Sequence, residues 1–337
     1  MEQVSATSGR TLTVSWLLAG LLLVLVLKLH LLPALLAGLL VFQLVHLLAG
    51  LLAGRVSNRR AKLAAVVALA VVVIGGVAAG TVLSLSFFGK HGGLGELGQR
   101  MADTIDNARL WLPPWLVAML PEGVDELKDA AAHWLREHAG EVGTIGKEAG
   151  VAFIHVLIGM IIGAMVALHE AAATPTMRPL AAALTQRARM LAQAFRRVVF
   201  AQVQIAAINT AFTGIYLAAV LPLLDIHLPL TKTMIGLTFA AGLLPVVGNL
   251  ISNTVIVVVS LAVSPLVAAS SLLFLILIHK LEYFLNARIV GTHISAKTWE
   301  MLLAMLAMEA AFGLPGLVAA PIYYAYLKSE LAAAELV

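Results

Sequence analysis

Eight long stretches of this chain carry almost no charge, and they dictate the solvent in which it can fold. Residues 11–27, 31–53, 63–88, 149–168, 198–222, 233–263, 265–284 and 300–327 are apolar blocks, most of them long enough to cross a hydrocarbon core of about 30 Å at about 1.5 Å per residue. Hydrophobic residues make up 61% of the 337 and charged residues 12%, against about 45–50% and about 25% in an average soluble domain. Mean hydropathy is +0.97. A soluble globular protein is excluded, and the expected fold is all-α: a polytopic membrane protein of about eight transmembrane helices, two of them broken, with an extracytoplasmic amphipathic-helix insert. The first block has the hydrophobicity of a signal peptide, but no small-residue cleavage site follows it. A second block starts after only Lys28, Leu29 and His30, so a retained signal anchor is expected.

Charge in the short loops orients the spans. Residues 54–62 hold Arg55, Arg59, Arg60 and Lys62 with no acid, and residues 169–197 hold Arg178, Arg187, Arg189, Arg196 and Arg197 against Glu170. Both loops are expected on the cytoplasmic side. Segment 89–148 has six basic and ten acidic residues, leaving a net +8 on the rest of a chain whose total is +4, and eight spans place it on the opposite side with both termini inside. The expected organisation is therefore helices 1–3 in 1–88, the polar insert in 89–148, and helices 4–8 in 149–337, with a basic cytoplasmic loop at 169–197. A hairpin within 233–263, which is interrupted at Pro245 and Gly248, would invert every later element.

Two amphipathic helices are expected in the insert. Leu97, Met101, Ile105, Ala108 and Leu112 recur at helical spacing opposite Arg100, Asp103, Asp106 and Asn107, and beyond Pro113, Pro114 and Pro121 a second stripe runs through Val124, Leu127, Ala131, Trp134 and His138. The apolar stripes need a partner, either the membrane interface or neighbouring subunits of an oligomer. The acidic polar faces favour subunits, since interfacial helices are rich in Lys and Arg. Gly93, Gly95 and Gly98 match the dinucleotide-binding spacing. They lack the preceding strand and βαβ unit that give the motif its meaning.

Within the apolar blocks, Gly50 with Gly54, Gly76 with Gly80 and Gly159 with Gly163 are small-residue pairs that let a neighbouring helix approach. Two late segments are broken by Gly and Pro. One carries Gly242, Pro245 and Gly248, then Asn249 and Asn253 one turn apart; the other carries Gly313, Pro315, Gly316 and Pro321 just after Glu309. A break in lipid frees backbone groups, which is tolerated where they are buried in protein or line a wet cavity. Paired broken helices point to a transporter's substrate site, whereas a plain kink is the alternative reading. Glu309, deep in an apolar block, is protonated, paired or facing water; a coupling-ion site and a salt bridge to Lys280 or Arg288 are the competing roles. Gln202 and Asn209, seven residues apart on one face, have Thr210 and Thr213 nearby and with Asn249 and Asn253 make a candidate polar pathway. Helix–helix hydrogen bonding is the alternative for any one of them.

Other chemistry lacks its groups. Cysteine is absent; the histidines show no metal-binding spacing, and no nucleophile elbow, phosphate-binding loop or pair of intramembrane aspartates is present. Neither enzymatic activity nor a cofactor or metal is expected, and the scattered basic residues give nucleic-acid binding no support.

Three segments resemble the autoinducer-2 exporter family of bacterial membrane permeases. They are Gly242 to Ile251 with its Pro245-x-x-Gly248 core, Asn286 to Gly291, which is similar to the family's short loop before the last span, and Phe312 to Pro321, which is similar to its closing glycine and proline pattern. The layout of three spans, an amphipathic insert, a basic stretch and four more spans also agrees. Ala287, Ile294 to Ala296 and Val166 to Glu170 depart from the common pattern, and these departures bear on the substrate more than on the fold. The resemblance implies export of a small signalling solute or sodium or proton antiport, and marks Gly291 and Pro321 as motif residues. The leading expectation is a secondary transporter of the bacterial inner membrane, forming a cyclic homo-oligomer. A cation/proton antiporter and an oligomeric scaffold without transport are the rivals.

Overall fold

The computed structural model describes residues 9–52, 57–89, 106, 109–110, 113–118, 123–172, 177–243, 247–294 and 297–336. Every described element is helical: α1 Gly9–Lys28, α2 Leu32–Leu51, α3 Asn58–Gly89, α4 Pro114–Val117, α5 Gly123–Glu137, α6 Ala139–Ala172, α7 Pro179–Ile215, α8 Thr231–Gly242, α9 Val247–Val263, α10 Pro265–Ile294 and α11 Thr298–Ala333. The chain is an all-α polytopic membrane protein. Six stretches are long and apolar enough to cross a membrane, Gly9–Lys28, Leu32–Leu51, Asn58–Ala79, Ala139–Glu170, Pro179–Leu223 and Trp299–Ala333, with shorter apolar helices at Gly248–Val263 and Pro265–Leu281.

Contacts gather into two compact units, one of residues 1–76, 146–199 and 293–337, the other of residues 77–145 and 200–292. In the first unit, α2 and α6 approach at backbone distance. A side chain at Gly159 would run into the Ala34 carbonyl, and one at Gly163 into the backbone of Gly38. Of the three small-residue pairs in the sequence this one makes the expected contact, whereas an added Cβ at Gly50 or Gly76 meets nothing. Val41, Val45, Ala65 and Ala167 form the core where α2, α3 and α6 meet. At one end of that core, His46 Nε2 lies 2.9 Å from Glu170 Oε2 and 3.0 Å from Lys62 Nζ, and Arg189 donates to the other Glu170 oxygen at 3.1 Å.

Two segments read as loops are largely helix. The basic stretch 169–197 is taken up by the end of α6 and the first turns of α7, because Ala183, Leu191, Ala192, Ala194 and Phe195 give it a buried face. Asn286 to Gly291 likewise continues α10; nothing in it breaks a helix, since alanine occupies position 287. In the insert, the second amphipathic helix is α5, while most of the first falls outside the described residues.

The largest differences from the hydropathy pattern are two reversals of direction. Met234 and Ile256 share a core cluster, although 22 residues of continuous helix would separate them by about 33 Å. They lie at matching distances from the break, so α8 and α9 form an antiparallel hairpin. α11 does the same within one helical stretch: Tyr324 Oη donates to Glu300 Oε2 at 2.5 Å and Lys328 Nζ at 2.7 Å, over separations that a straight helix would stretch to about 36 Å and about 42 Å. The reversal is at Gly313, whose φ of 65° and ψ of −149° are not helical. Trp299–Ala333 is therefore two limbs folded together, and residues 298–312 reach only about 22 Å.

Candidate functional site

The hairpin in the second unit holds the neutral polar residues. Its 12-residue and 17-residue helices, α8 and α9, are about 18 and 25 Å long and both fall short of a full crossing. Glycine is required where the limbs meet, since a Cβ at Gly248 would lie against the Ala241 carbonyl oxygen. Gly242 packs on α7, where an added Cβ would sit 3.2 Å from the Ala206 methyl. Pro245 lies outside the described residues.

α7 ties this tip down with two amides. Gln202 Nε2 donates to the Gly242 carbonyl at 2.7 Å, satisfying one of the backbone oxygens that a helix end leaves open. Seven residues on, Asn209 Nδ2 donates to Asn249 Oδ1 at 3.2 Å, and Asn209 is only 7% exposed. The structure thus brings Gln202 and Asn209, which share a face of α7, together with Gly242 and Asn249 of the hairpin. Asn253, one turn along α9, is half-buried. Beside Asn209, the hydroxyl oxygens of Thr210 and Thr213 are buried without a hydrogen-bond partner, although Thr hydroxyls in helices commonly bond back to the preceding turn.

Sequence reasoning missed the continuation of this face. Tyr216, seven residues after Asn209, opens a π-helical turn, Tyr216–Val220, a distortion that recurs at functional sites. Its ring stacks on Phe274 with centroids 4.1 Å apart. Its hydroxyl lies 3.0 Å from Ser270 Oγ and 3.1 Å from Ser271 Oγ, and Ser271 in turn lies 2.8 Å from Ser260. The seven-residue recurrence through 202, 209 and 216, with the Ser270-Ser271 pair inside an apolar block, was the available signal. The Ser260–Ser271 contact also shows that α9 and α10 fold back at Ser264, since 11 residues of straight helix would hold the two about 16 Å apart.

In the first unit, the α11 hairpin carries the remaining predicted residues. Gly313 combines its positive φ with extended ψ, close to a region open essentially to glycine alone. Pro315 follows in the first turn of the second limb, where a missing N–H leaves no helical bond unmade. Gly316 closes the turn: a Cβ there would strike the Met308 carbonyl oxygen. Pro321 is buried in the second limb and Glu309 is exposed near the turn. Gly291 lies in α10, in the other unit. Among the described residues no group of three or more His, Asp or Glu side chains is placed to hold a metal ion.

The family model described as AI-2E family transporter matches residues 12–335, nearly the whole chain. No curated protein and no solved structure matches it at a significant level. The chain belongs to the AI-2E transporter family and is a membrane transporter.

Proposed function

We propose that this AI-2E family transporter exports a small, uncharged, hydroxyl-bearing solute of the autoinducer-2 kind across the bacterial inner membrane. The observation that carries the reading is the row of neutral polar groups on α7 at a broken hairpin, Gln202, Asn209, Thr210 and Thr213, with Asn249 opposite and Asn253 one turn further along α9. A buried hydroxyl left unpaired costs about 1–3 kcal/mol, and a polar solute or water passing the row relieves that cost. Amides and hydroxyls match an uncharged polyol and do not neutralise an ion. Discontinuous helices at membrane depth are where secondary transporters bind their substrates, and Gly248, Gly313, Pro315 and Gly316 stand at the breaks described here.

Glu309 is the proposed coupling site for a proton or sodium ion. Its neighbours Leu302, Leu303, Leu306 and Leu314 are all exposed, so the carboxylate stands on an apolar surface where charge is costly. If both hairpins enter and leave on one side, α1, α2, α3, α6, α7 and α10 make six crossings. The second reversal then cancels the inversion caused by the first, and both termini are cytoplasmic. Trp134 on α5 is 55% exposed, which supports the insert as a contact between copies in a cyclic homo-oligomer.

Flux measured in proteoliposomes under an imposed proton gradient tests the reading. Autoinducer-type polyols should move in the absence of sodium, and Asn209→Ala or Asn249→Ala should weaken that flux. Sodium-driven proton movement with no organic solute favours the second reading, a cation/proton antiporter, for which the exposed Glu309 is the supporting observation. Silence toward both would favour a scaffold built on the insert.

A further inference from the structure

At the end of the α2–α3–α6 core, His46 has more neighbours than one ring nitrogen can serve. Its Nδ1 lies 2.8 Å from the Phe42 carbonyl oxygen. A carbonyl only accepts, so Nδ1 carries a proton. Turning the ring over would set carbon at both contact points, so the polar partners on the two sides fix its orientation. Charge on the ring is then decided at Nε2, which lies 2.9 Å from Glu170 Oε2 and 3.0 Å from Lys62 Nζ.

Those two neighbours make opposite demands. Without a proton, Nε2 accepts from the Lys62 ammonium but turns a lone pair toward the carboxylate. With a proton, it donates to Glu170 but faces the ammonium as a like charge. Arg189 donates to the other oxygen of Glu170 at 3.1 Å, so the carboxylate keeps a cationic partner in either case. Lys62 Nζ also lies 3.7 Å from Glu170 Oε2, and its side chain is only 7% exposed. The ammonium therefore has a second protein partner at hand and little water to turn to. The charged groups around His46 are thus Lys62 from α3, Glu170 from α6 and, through Glu170, Arg189 from α7.

We infer that His46 is a proton-operated switch that exchanges the helix to which the end of α2 is tied. The neutral ring accepts from Lys62 and ties α2 to α3. The protonated ring donates to Glu170 and ties α2 to α6, while Lys62 turns to the carboxylate and α3 loses its direct hold on α2. Imidazole is the side chain whose charge ordinarily changes between about pH 5 and about pH 8. Further along, α2 and α6 have no slack, because Gly159 and Gly163 meet the backbone of Ala34 and Gly38. The exchange therefore acts at this end of the core and leaves that crossing in place. It involves neither Glu309 nor any residue of the polar row, and it does not depend on the proposed solute.

Spin labels on the purified full-length protein in lipid nanodiscs test the exchange. The chain has no cysteine, so one introduced thiol takes the label alone. Arg59→Cys reports on the first turn of α3, one turn before Lys62, and His169→Cys reports on α6 beside Glu170; both positions are exposed. Lowering the pH from about 8 to about 5 should raise the mobile fraction of the α3 label and lower that of the α6 label, reversibly. Both responses should be lost in His46→Gln, whose amide offers an oxygen to Lys62 and an N–H to Glu170 at the same time. Lys62→Met should silence the α3 label alone, and its long apolar stem keeps the buried position filled. Labels that move in the same sense, labels that do not respond, or opposed responses that persist in His46→Gln would overturn the switch.

Discussion

The α8–α9 hairpin and the folded-back α11 are closed by the same device and tied down at opposite ends. In each, a glycine meets a carbonyl oxygen from before the turn, Gly248 against Ala241 and Gly316 against Met308, so close that any side chain would collide. The first hairpin is held at its tip, where α7 reaches in through Gln202 and Asn209. The second is held at its base, where Glu300 takes Tyr324 and Lys328, while Glu309 near its tip is exposed. One reversal thus has neutral polar groups satisfied by a neighbouring helix, and the other has an unshielded carboxylate. The pairing of a glycine break with nearby polar groups is common to both, but the chemistry offered at the tip is not.

The largest effect should come from Glu309→Gln. If the tip of α11 supplies the coupling site, proton-coupled flux in proteoliposomes falls by more than an order of magnitude while the melting temperature stays put; full flux in that variant would make the two tips equivalent bystanders. Gly313→Ala comes next, because alanine cannot hold that backbone without strain of about 1–3 kcal/mol. Thermal unfolding of the purified protein should report the loss, and an unchanged melting temperature would mean that α11 need not fold back. A double-mutant cycle on Asn209→Ala and Asn249→Ala should give a coupling of about 0.6 kcal/mol, up to about 1.7 kcal/mol, in chemical unfolding; zero coupling would remove the amide tie from the first tip. The smallest effect belongs to the base of α11. Lys328→Met should lower the melting temperature slightly, and the difference should shrink as salt is raised, since a half-buried pair is still partly screened.

Much of the architecture was legible in the chain. Uncharged blocks of spanning length and the amphipathic stripe from Val124 to His138 gave membrane helices and α5, because hydropathy and helical period are local properties. The face shared by Gln202 and Asn209 was readable for the same reason, as was the close packing at Gly159 and Gly163. What escaped was the outcome of each break. Gly242 to Gly248 read equally well as a kink or a turn, and Gly313 to Gly316 read as an interruption of one span. The Tyr216, Ser260, Ser270 and Ser271 hydroxyl cluster went unseen because its members come from three helices, and the one local cue, the seven-residue recurrence to Tyr216, does not say which serines it meets.

The sequence by itself determined the solvent, the helices and the places where they break, since each depends on residues within a turn or two of one another. Only the tertiary structure decided that the chain doubles back at those places. That choice rests on contacts between residues far apart in sequence: Met234 with Ile256 in one core, Ser260 with Ser271, and Glu300 with Lys328. A glycine permits a straight, bent or reversed backbone alike, and the packing of the two limbs selects among them.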